Sequence, residues 1–390
     1  LYPYVYLLAR AAFRELPSSG QDVARSLGLG HVRQFWRVSL PQARPAIAAG
    51  TAIVMMETLN DFGTVDYFAV QTLTTGIFSL WLESYNPGGA AQLALLAVAI
   101  VAVLLWVEKI GRRKARFNKS GRQMACIQPQ PVTRGVGLLA LTFCSLPIVI
   151  GFLIPLIVLV TPALRDSAVW RGVGLWRAAG HSVLLGGISA VLVVGLSAIM
   201  VLGLGTARPV MRKFLLTFTT LGYAFPGAVL GLGILTPLAL FDNWAADLIY
   251  ATFDLDPGLI LTGSVAALII AYGVRFFAIG VGATEAGLAV ISTNIPLAAR
   301  SLGSPPRSLF LRIYMPLMRG SLASSLVLVF VDTVKELPAT LLLRPFNFET
   351  LSTRIYGQAS LENFNAVAPA ALLIVALSLG AIILLAKAHR

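Results

Sequence analysis

Long apolar runs separated by short polar segments dominate the chain. Crossing the roughly 30 Å hydrocarbon core of a bilayer takes about 20 mostly apolar residues. Runs of that length predict eight complete spans, and residues 1–14 look like the end of a ninth. The predicted spans are 44–68, 90–108, 136–160, 180–204, 214–240, 259–282, 318–344 and 366–386. The predicted fold class is therefore all-α, a polytopic bundle of transmembrane helices.

The composition agrees with a protein that has lipid as its solvent. Of the 390 residues, 57% are hydrophobic and 12% are charged, whereas soluble domains carry about 25% charged residues. The net charge of +13 would suggest nucleic acid in a soluble protein, but the basic residues lie mostly between the apolar runs, where they set topology. We therefore predict a lipid bilayer as partner and no nucleic acid.

Charges between the spans assign the two sides. The segment EKIGRRKARFNKSGR (108–122) is densely basic and is expected to face the cytoplasm. Alternation from there places 283–317 inside and 241–258, which contains aspartates but no lysine or arginine, outside. The loop 161–179 is the exception, because it carries three arginines on the outside.

One short stretch occurs twice. ARSLGLGHVRQFWRVSLP (24–41) and ARSLGSPPRSLFLRIYMP (299–316) begin with the same five residues and reach proline at the same distance. Six predicted spans separate the copies, so both face the cytoplasm and the repeat is parallel, whereas inverted repeats need an odd offset.

The correspondence continues beyond the prolines. METLNDF (56–62) aligns with VDTVKEL (331–337), and TLTTGIF (72–78) aligns with TLSTRIY (350–356). The predicted domains are 1–108, a first repeat truncated at its N-terminus; 109–135, a basic cytoplasmic linker; and 136–390, a second repeat with six transmembrane helices.

The repeated stretch has the signature of a short helix with a defined end. In the first copy the helix is expected to stop at Gly28 or Gly30, and in the second at Pro305 and Pro306. A plain cytoplasmic loop would explain the arginines but not the matched spacing of glycine and proline. A rigid docking element presented to the cytoplasm explains both copies and implies a symmetric partner.

This spacing resembles the loop motif of ABC-importer permeases, E-A-A-x3-G-x9-I-x-L-P. The matching residues of the first copy are Asp22, Ala24, Gly28, Val38, Leu40 and Pro41, and those of the second are Leu297, Ala298, Ala299, Gly303, Ile313, Met315 and Pro316. The acid is shortened to Asp22 in the first copy and replaced by Leu297 in the second, so the contact it makes in the family is in question for the second half.

Within that superfamily, METLNDFGTVDYF (56–68) and VKELPATLLLRPFNFETLSTRIY (334–356) look like the fused, double-length permeases of ferric iron importers. The resemblance implies the type I permease fold with pseudo-two-fold repeats, in a multi-pass protein of the bacterial inner membrane. It also implies coupling helices near 22–30 and 297–305, docked on two copies of an ATP-binding subunit, and a periplasmic binding protein that delivers iron(III).

No catalytic activity, metal site or cofactor is predicted within this chain. The sequence contains no G-x-x-x-x-G-K-[ST] phosphate loop, so ATP is expected to be bound and hydrolysed by the partner subunit. The two cysteines and three histidines show no metal-type spacing. Two alternatives remain: the same machine carrying thiamine, a polyamine or another small solute, and an ion-coupled secondary transporter, which would leave the repeated cytoplasmic stretch unexplained.

Ionisable residues within a span are costly and suggest function. Glu57 and Asp61 are spaced i and i+4, which places both on one face of a helix, and Asp332 and Glu336 repeat the arrangement. These four acids, with Lys335, are candidates to line the pathway, since oxygen ligands suit hard cations. The alternative is that they pair with each other or with Arg275 and brace the bundle.

Aromatic residues recur in the two outward-facing segments, 69–89 and 345–365. They are expected to anchor these segments at the membrane interface or to contact the binding protein. The residues are Phe68, Phe78, Trp81, Tyr85, Phe346, Phe348 and Tyr356.

Overall fold

The computed structural model describes residues 1–14, 16, 18–113, 133–292 and 294–388, and the regular structure in these residues is helical. Most of the predicted basic linker lies outside the described residues. The α-helices are α1 Tyr2–Arg14, α2 Ser18–Ser26, α3 His31–Gln34, α4 Leu40–Asn60, α5 Gly63–Tyr67, α6 Leu73–Phe78, α7 Pro87–Arg113, α8 Arg134–Ile148, α9 Ile154–Arg165, α10 Leu175–Gly203, α11 Pro209–Ala224, α12 Gly227–Phe253, α13 Val265–Ala289, α14 Asn294–Ser301, α15 Pro306–Leu309, α16 Met315–Val334, α17 Pro338–Leu343, α18 Leu351–Ser360 and α19 Phe364–Ala388.

Seven helical segments of the described chain are long and apolar enough to cross a membrane: Pro87–Val107, Arg134–Arg165, Leu175–Gly203, Gly227–Phe253, Val265–Ala289, Phe310–Val334 and Phe364–Lys387. Each overlaps one of the eight predicted spans. The prediction of a span at 44–68 was wrong in extent, because its helix ends at Asn60. That helix is not among the seven, because Arg44 and Glu57, together with its other polar residues, lower its mean hydropathy.

Proline accounts for two further differences from the predicted spans. The predicted span 214–240 is two helices, because Phe225 has an extended backbone (ψ 135°) before Pro226; the residue before a proline disfavours the helical conformation. The predicted span 318–344 is likewise interrupted, since α16 ends at Val334 and α17 begins at Pro338.

Proline also creates π-helical turns within otherwise continuous helices. In three such turns the closing N–H lies directly before a proline: Leu40 donates to the carbonyl of Phe35, Met315 to that of Phe310, and Ile154 to that of Val149. Because the next residue has no N–H to give an α-helical bond, a wider turn takes its place. The first two turns, Phe35–Ser39 and Phe310–Tyr314, belong to the repeated stretch.

By contacts, the described residues form two compact units. The first contains 1–61 and the described part of 95–154, and the second contains 62–94 and the described residues from 155 onward. In the first unit α1 crosses α4 closely, since a Cβ added at Gly50 would lie 2.8 Å from the Cα of Val5. Residues 62–94 thus cluster with the second repeat, although they belong to the first in sequence.

The second unit is built around α10, α13 and α16. Its largest core cluster includes Leu185, Leu268, Tyr272 and Val329. Small residues allow the three helices to approach closely: a Cβ added at Gly280 would lie 2.9 Å from the Cβ of Ser197, and one at Gly287 would lie 3.1 Å from that of Ser321. Such small-residue contacts replace the hydrophobic effect as the packing force inside lipid.

A buried carboxylate fixes the loop before α13 and explains why that helix begins at Val265 rather than at 259. Asp242 of α12 is fully buried. It accepts the backbone N–H groups of Leu261, at 2.9 Å, and Thr262, at 2.6 Å. These bonds hold the segment in a non-helical course, in which Gly263 has a φ of +70°.

Asp242→Asn is expected to loosen the loop 254–264. The asparagine amide has one NH₂ group, which is a donor and would face the backbone N–H groups of Leu261 and Thr262, which are also donors. An unsatisfied buried polar group costs about 1–3 kcal/mol, so hydrogen exchange at the amides of Leu261 and Thr262 should accelerate about tenfold or more. Asp256→Asn is the matched control, because Asp256 is exposed and accepts the N–H of Gly258, which lies within its own loop. Equal exchange in both variants would contradict the assignment.

Candidate functional site: the repeated stretches and the polar junction between the repeats

The first repeated stretch folds as a helix with a tightly capped end. After α2, the N–H of Gly28 donates to the carbonyl of Arg25 at 2.9 Å, and the N–H of Leu29 donates to that of Ala24 at 3.1 Å. Gly28 has a φ of +75°. This pair of bonds around a left-handed glycine is the Schellman motif. Of the two glycines that the sequence offered as the cap, Gly28 is the one used.

The second copy ends in the same way, 275 residues later. The N–H of Ser304 donates to the carbonyl of Ala299 at 3.0 Å. Gly303 also has a φ of +75°. The helices begin four and three residues earlier than predicted, since α2 covers Ser18–Ser26 and α14 covers Asn294–Ser301. In each copy a four-residue helix and the π turn follow before the long helix.

Each repeated stretch has one anchored side and one exposed apolar side. Ala24 and Ala299 are buried. On the other side Leu27 is 75% exposed and Leu302 is 85% exposed. Asp22, Leu297 and Ala298 are also exposed. This combination suits a docking element. The buried alanines hold the helix to the protein, while the exposed leucines beside the capped turn are accessible to a partner protein.

The remaining motif residues lead into the long helices. Pro41 and Pro316 occupy the first turns of α4 and α16. Leu40, Pro41 and Ile313 are half-buried.

The predicted acids do not share a single helical face. In both copies the helix ends before the second acid: α4 ends at Asn60, and α16 ends at Val334. The i, i+4 geometry expected for Glu57 with Asp61, and for Asp332 with Glu336, is therefore wrong. The break has the same backbone in both copies, since Phe62 has φ −116° and ψ −53° and Leu337 has φ −114° and ψ −57°.

In the second repeat the two predicted acids are each part of an ion pair. Lys335 Nζ lies 2.9 Å from Asp332 Oδ1 on the half-exposed side. Glu336 is buried, and its Oε1 lies 3.1 Å from Arg275 Nη1 of α13. Glu57 and Asp61 are half-buried in the first unit. Their part in lining a pathway remains a prediction.

Hydroxyl groups complete a polar junction around Glu336 that sequence reasoning did not identify. The hydroxyls of Thr340 and Ser352 donate to the Glu336 carbonyl at 2.8 and 2.7 Å. The Tyr272 hydroxyl lies 2.6 Å from that of Thr340. The sequence analysis had named Arg275 as a possible partner of the acids, but not these hydroxyl groups. The repeated threonine pattern forms matched capping boxes nearby in sequence, at Thr72 with Thr75 and at Thr350 with Thr353.

Equivalent residues of the two repeats meet within the second unit. Phe62 stacks on Phe78 with ring centroids 4.0 Å apart, and the ring of Tyr356, the counterpart of Phe78, lies 5.5 Å from Phe62. The Tyr356 hydroxyl donates to Asp66 Oδ2 at 2.9 Å. Burial, reinforced by Asp66, raises the pKa of Tyr356 to about 12, so the phenol remains a donor at neutral pH.

These contacts correct part of the prediction for the outward-facing aromatics. Phe78 and Tyr356 pack in or against a core cluster instead of anchoring at the membrane interface. Phe346, which is 100% exposed, and Tyr85, which is 86% exposed, remain available at the surface. Within the described residues, no group of three or more His, Cys, Asp or Glu side chains is placed to hold a metal ion.

The combination of membrane-spanning helices with paired, capped stretches between them is typical of importer permeases, and the family assignment agrees. The family model described as "Binding-protein-dependent transport system inner membrane component" matches residues 1–116 and 199–388. The chain belongs to this family, and it is a multi-pass protein of the inner membrane. The predicted resemblance to ABC-importer permeases is confirmed.

The chain is also similar in sequence to individual transport permeases. The chain is 28% identical over 384 residues to the Fe(3+)-transport system permease protein FbpB 2 of Haemophilus influenzae, a match that covers 97% of this chain and 72% of that protein. It is 26% identical over 124 residues to the molybdenum transport system permease protein ModB of Escherichia coli, covering 29% of this chain and 54% of that protein.

A solved structure shares the fold. The crystal structure of a bacterial alginate ABC transporter, in complex with an alginate pentasaccharide-bound periplasmic protein, contains a chain that matches with a TM-score of 0.54 and 16% identity. The match covers 66% of this chain and 95% of that one. The predicted all-α permease fold is thereby confirmed.

Proposed function

We propose that this chain is the membrane pathway of an ATP-driven importer for iron(III), received from a periplasmic binding protein. The iron assignment is supported by similarity to a ferric permease along nearly the whole chain. The similarity to the molybdenum permease covers less than a third of the chain, so it carries less weight for the solute.

The coupling mechanism rests on the two identically capped stretches. Each presents exposed apolar residues beside a rigid turn, and each continues through a short helix and a π turn into a long helix. Docking of one ATP-binding subunit on each stretch would let closure of the ATP-binding pair move α4 and α16. The chain itself contains no phosphate-binding loop, so the nucleotide is bound by the partners.

Asymmetry between the two stretches is part of the proposal. Asp22 of the first corresponds to Leu297 of the second, and both are exposed. A charged or hydrogen-bonded contact through this position is therefore available to only one of the two docked subunits, while the contacts of Leu27 and Leu302 are common to both.

Uptake of radiolabelled iron(III) tests the assignment of the solute. In cells that express the complete gene with its ATP-binding and binding-protein partners, we expect iron uptake that depends on the ATPase. Thiamine, spermidine, molybdate and sulfate are assayed in parallel. Transport of another solute without iron would retain the permease and overturn the iron assignment, and uptake that persists without the ATPase would overturn the coupling mechanism.

A further inference from the structure

The Arg275–Glu336 ion pair is the most buried charged contact among the described ion pairs. Their side chains are 9% and 6% exposed, and the N–O distance is 3.1 Å. A buried ion pair is weak evidence for stability, because desolvation of both charges offsets much of their attraction. Ionisable groups inside a membrane protein are instead a default indication of function.

Glu336 organises the break between α16 and α17 with both its side chain and its backbone. Its carboxylate also accepts the N–H of Ala339 at 3.2 Å, in the first turn of α17. Its carbonyl accepts the hydroxyls of Thr340, from α17, and Ser352, from α18. Through Arg275 the junction is tied to α13. The position of Leu337, the next residue, is therefore determined from four helices.

The site leaves little room for any other arrangement of the pair. A Cβ added at Gly227 of α12 would lie 2.2 Å from Arg275 Nη1 and 2.6 Å from Glu336 Oε1. Only glycine therefore lets α12 approach the pair so closely. Arg275 Nε is buried without a hydrogen-bond partner among the described residues. The junction is thus tightly packed, but one of its buried donors, Arg275 Nε, has no hydrogen-bond acceptor among the described residues.

Leu337 contributes to the contact between the two repeats. A Cβ added at Gly63 would lie 2.9 Å from Leu337 Cδ2. Leu337 packs against a core cluster that includes Phe62, Phe78 and Ala228. Phe62 and Leu337 are equivalent residues, 275 positions apart, so the contact lies where the two repeats face each other. Apolar side chains of this size exclude water and ions from the space they fill.

We propose that the Arg275–Glu336 pair is a positioning element that holds Leu337 against Gly63 and so keeps the pathway closed between the repeats. This inference rests on the proposed function in that it assumes a pathway between equivalent helices. Opening of the pathway then requires that the junction around Glu336 rearrange, which moves Leu337 away from Gly63.

The test measures closure directly by disulfide cross-linking. Cysteines replace Gly63 and Leu337 in a chain that also carries Cys126→Ser and Cys144→Ser, assembled with its partner subunits in lipid nanodiscs without nucleotide. The rate of oxidative cross-linking is followed by the loss of maleimide-reactive thiols. We expect Glu336→Gln to slow cross-linking about tenfold or more, because the charge on Arg275 is left buried and uncompensated.

Two further variants make the result specific. Glu349→Gln is the matched control, since it removes the acid of another ion pair of the second repeat, Arg354 with Glu349 at 3.3 Å, whose carboxylate is 48% exposed. It should leave the rate unchanged. Arg275→Gln removes the same ion pair from the other partner, so it should slow cross-linking in the same way, and it serves as the test variant if Glu336→Gln does not fold.

A merely structural brace would lower the unfolding temperature but leave the cross-linking rate of the folded protein unchanged, and that outcome would overturn the proposal. An equal loss of rate in Glu349→Gln would overturn it as well, because it would show general loosening. The cross-linking assay uses no transported solute. Its result therefore stands even if the chain proves to transport a solute other than iron.

Discussion

Replacing Gly28 and Gly303 together by alanine is expected to lower ATP-dependent uptake about tenfold or more. Both glycines have a φ of +75° with open space around them, so an added methyl group meets no neighbour and the cost is purely conformational. The left-handed conformation costs roughly 1–2 kcal/mol for a residue with a side chain. Each 1.4 kcal/mol corresponds to a tenfold change in an equilibrium, and the strain acts at both repeated stretches.

Gly30→Ala provides the control within the same loop. Gly30 also has nothing within 4 Å, but its φ is not in the left-handed region, so alanine there should leave uptake unchanged. Each single variant should lose less than the double variant, and co-purification of the ATP-binding subunit should fall in parallel with uptake. Normal uptake in the double variant would show that the Schellman caps are not needed for coupling.

Gly222→Ala is expected to be the most destabilising glycine substitution in the second unit. A Cβ at this position would lie 2.2 Å from the backbone oxygen of Val274. Neither atom belongs to a flexible side chain, so α11 and α13 would have to separate. Overpacking typically costs about 1–3 kcal/mol, which exceeds the gain of about 0.5–1 kcal/mol from replacing a helical glycine by alanine.

Thermal unfolding in detergent checks this prediction. The midpoint of Gly222→Ala should fall by several degrees, with a lower yield of folded protein. Gly273→Ala changes the residue next to Val274, and its Cβ would meet nothing within 4 Å, so its midpoint should stay the same or rise. A stable Gly222→Ala variant would mean that the α11–α13 contact is looser than the structure shows.

The two repeated stretches have the same backbone features but differ at one exposed side chain. Both stretches share the glycine cap, the π turn and the following proline, whereas Asp22 has no acidic counterpart at Leu297. The cap, the π turn and the proline are features of the backbone, whereas the difference between Asp22 and Leu297 is one of side-chain chemistry. The two repeated stretches therefore share their backbone caps, and under the proposed coupling they would offer different side-chain chemistry to a docked subunit.

Periodic and local signals in the sequence determined the helical class and the repeat. A run of about 20 apolar residues has few alternatives to a membrane helix, because backbone groups in lipid must bond within their own segment. The prediction named Gly28 as one of two possible caps, but it placed the end of the second helix at Pro305 and Pro306, after the actual cap at Gly303. Both caps depend on contacts within five residues, so they were accessible from residue spacing. For the same reason the break at Pro226 was accessible from sequence, although we predicted a continuous span there.

Contacts between residues far apart in the chain could not be derived from residue spacing. The pairing of Arg275 with Glu336, the approach of Gly227 to both, and the contact of Leu337 with Gly63 join elements that sequence spacing does not relate. Glu336 looked like the second member of a helical i, i+4 pair because its helix seemed to continue. The hydroxyls of Thr340 and Ser352 and the charge of Arg275 stabilise a non-helical backbone instead, and these partners come together only when α13, α17 and α18 pack.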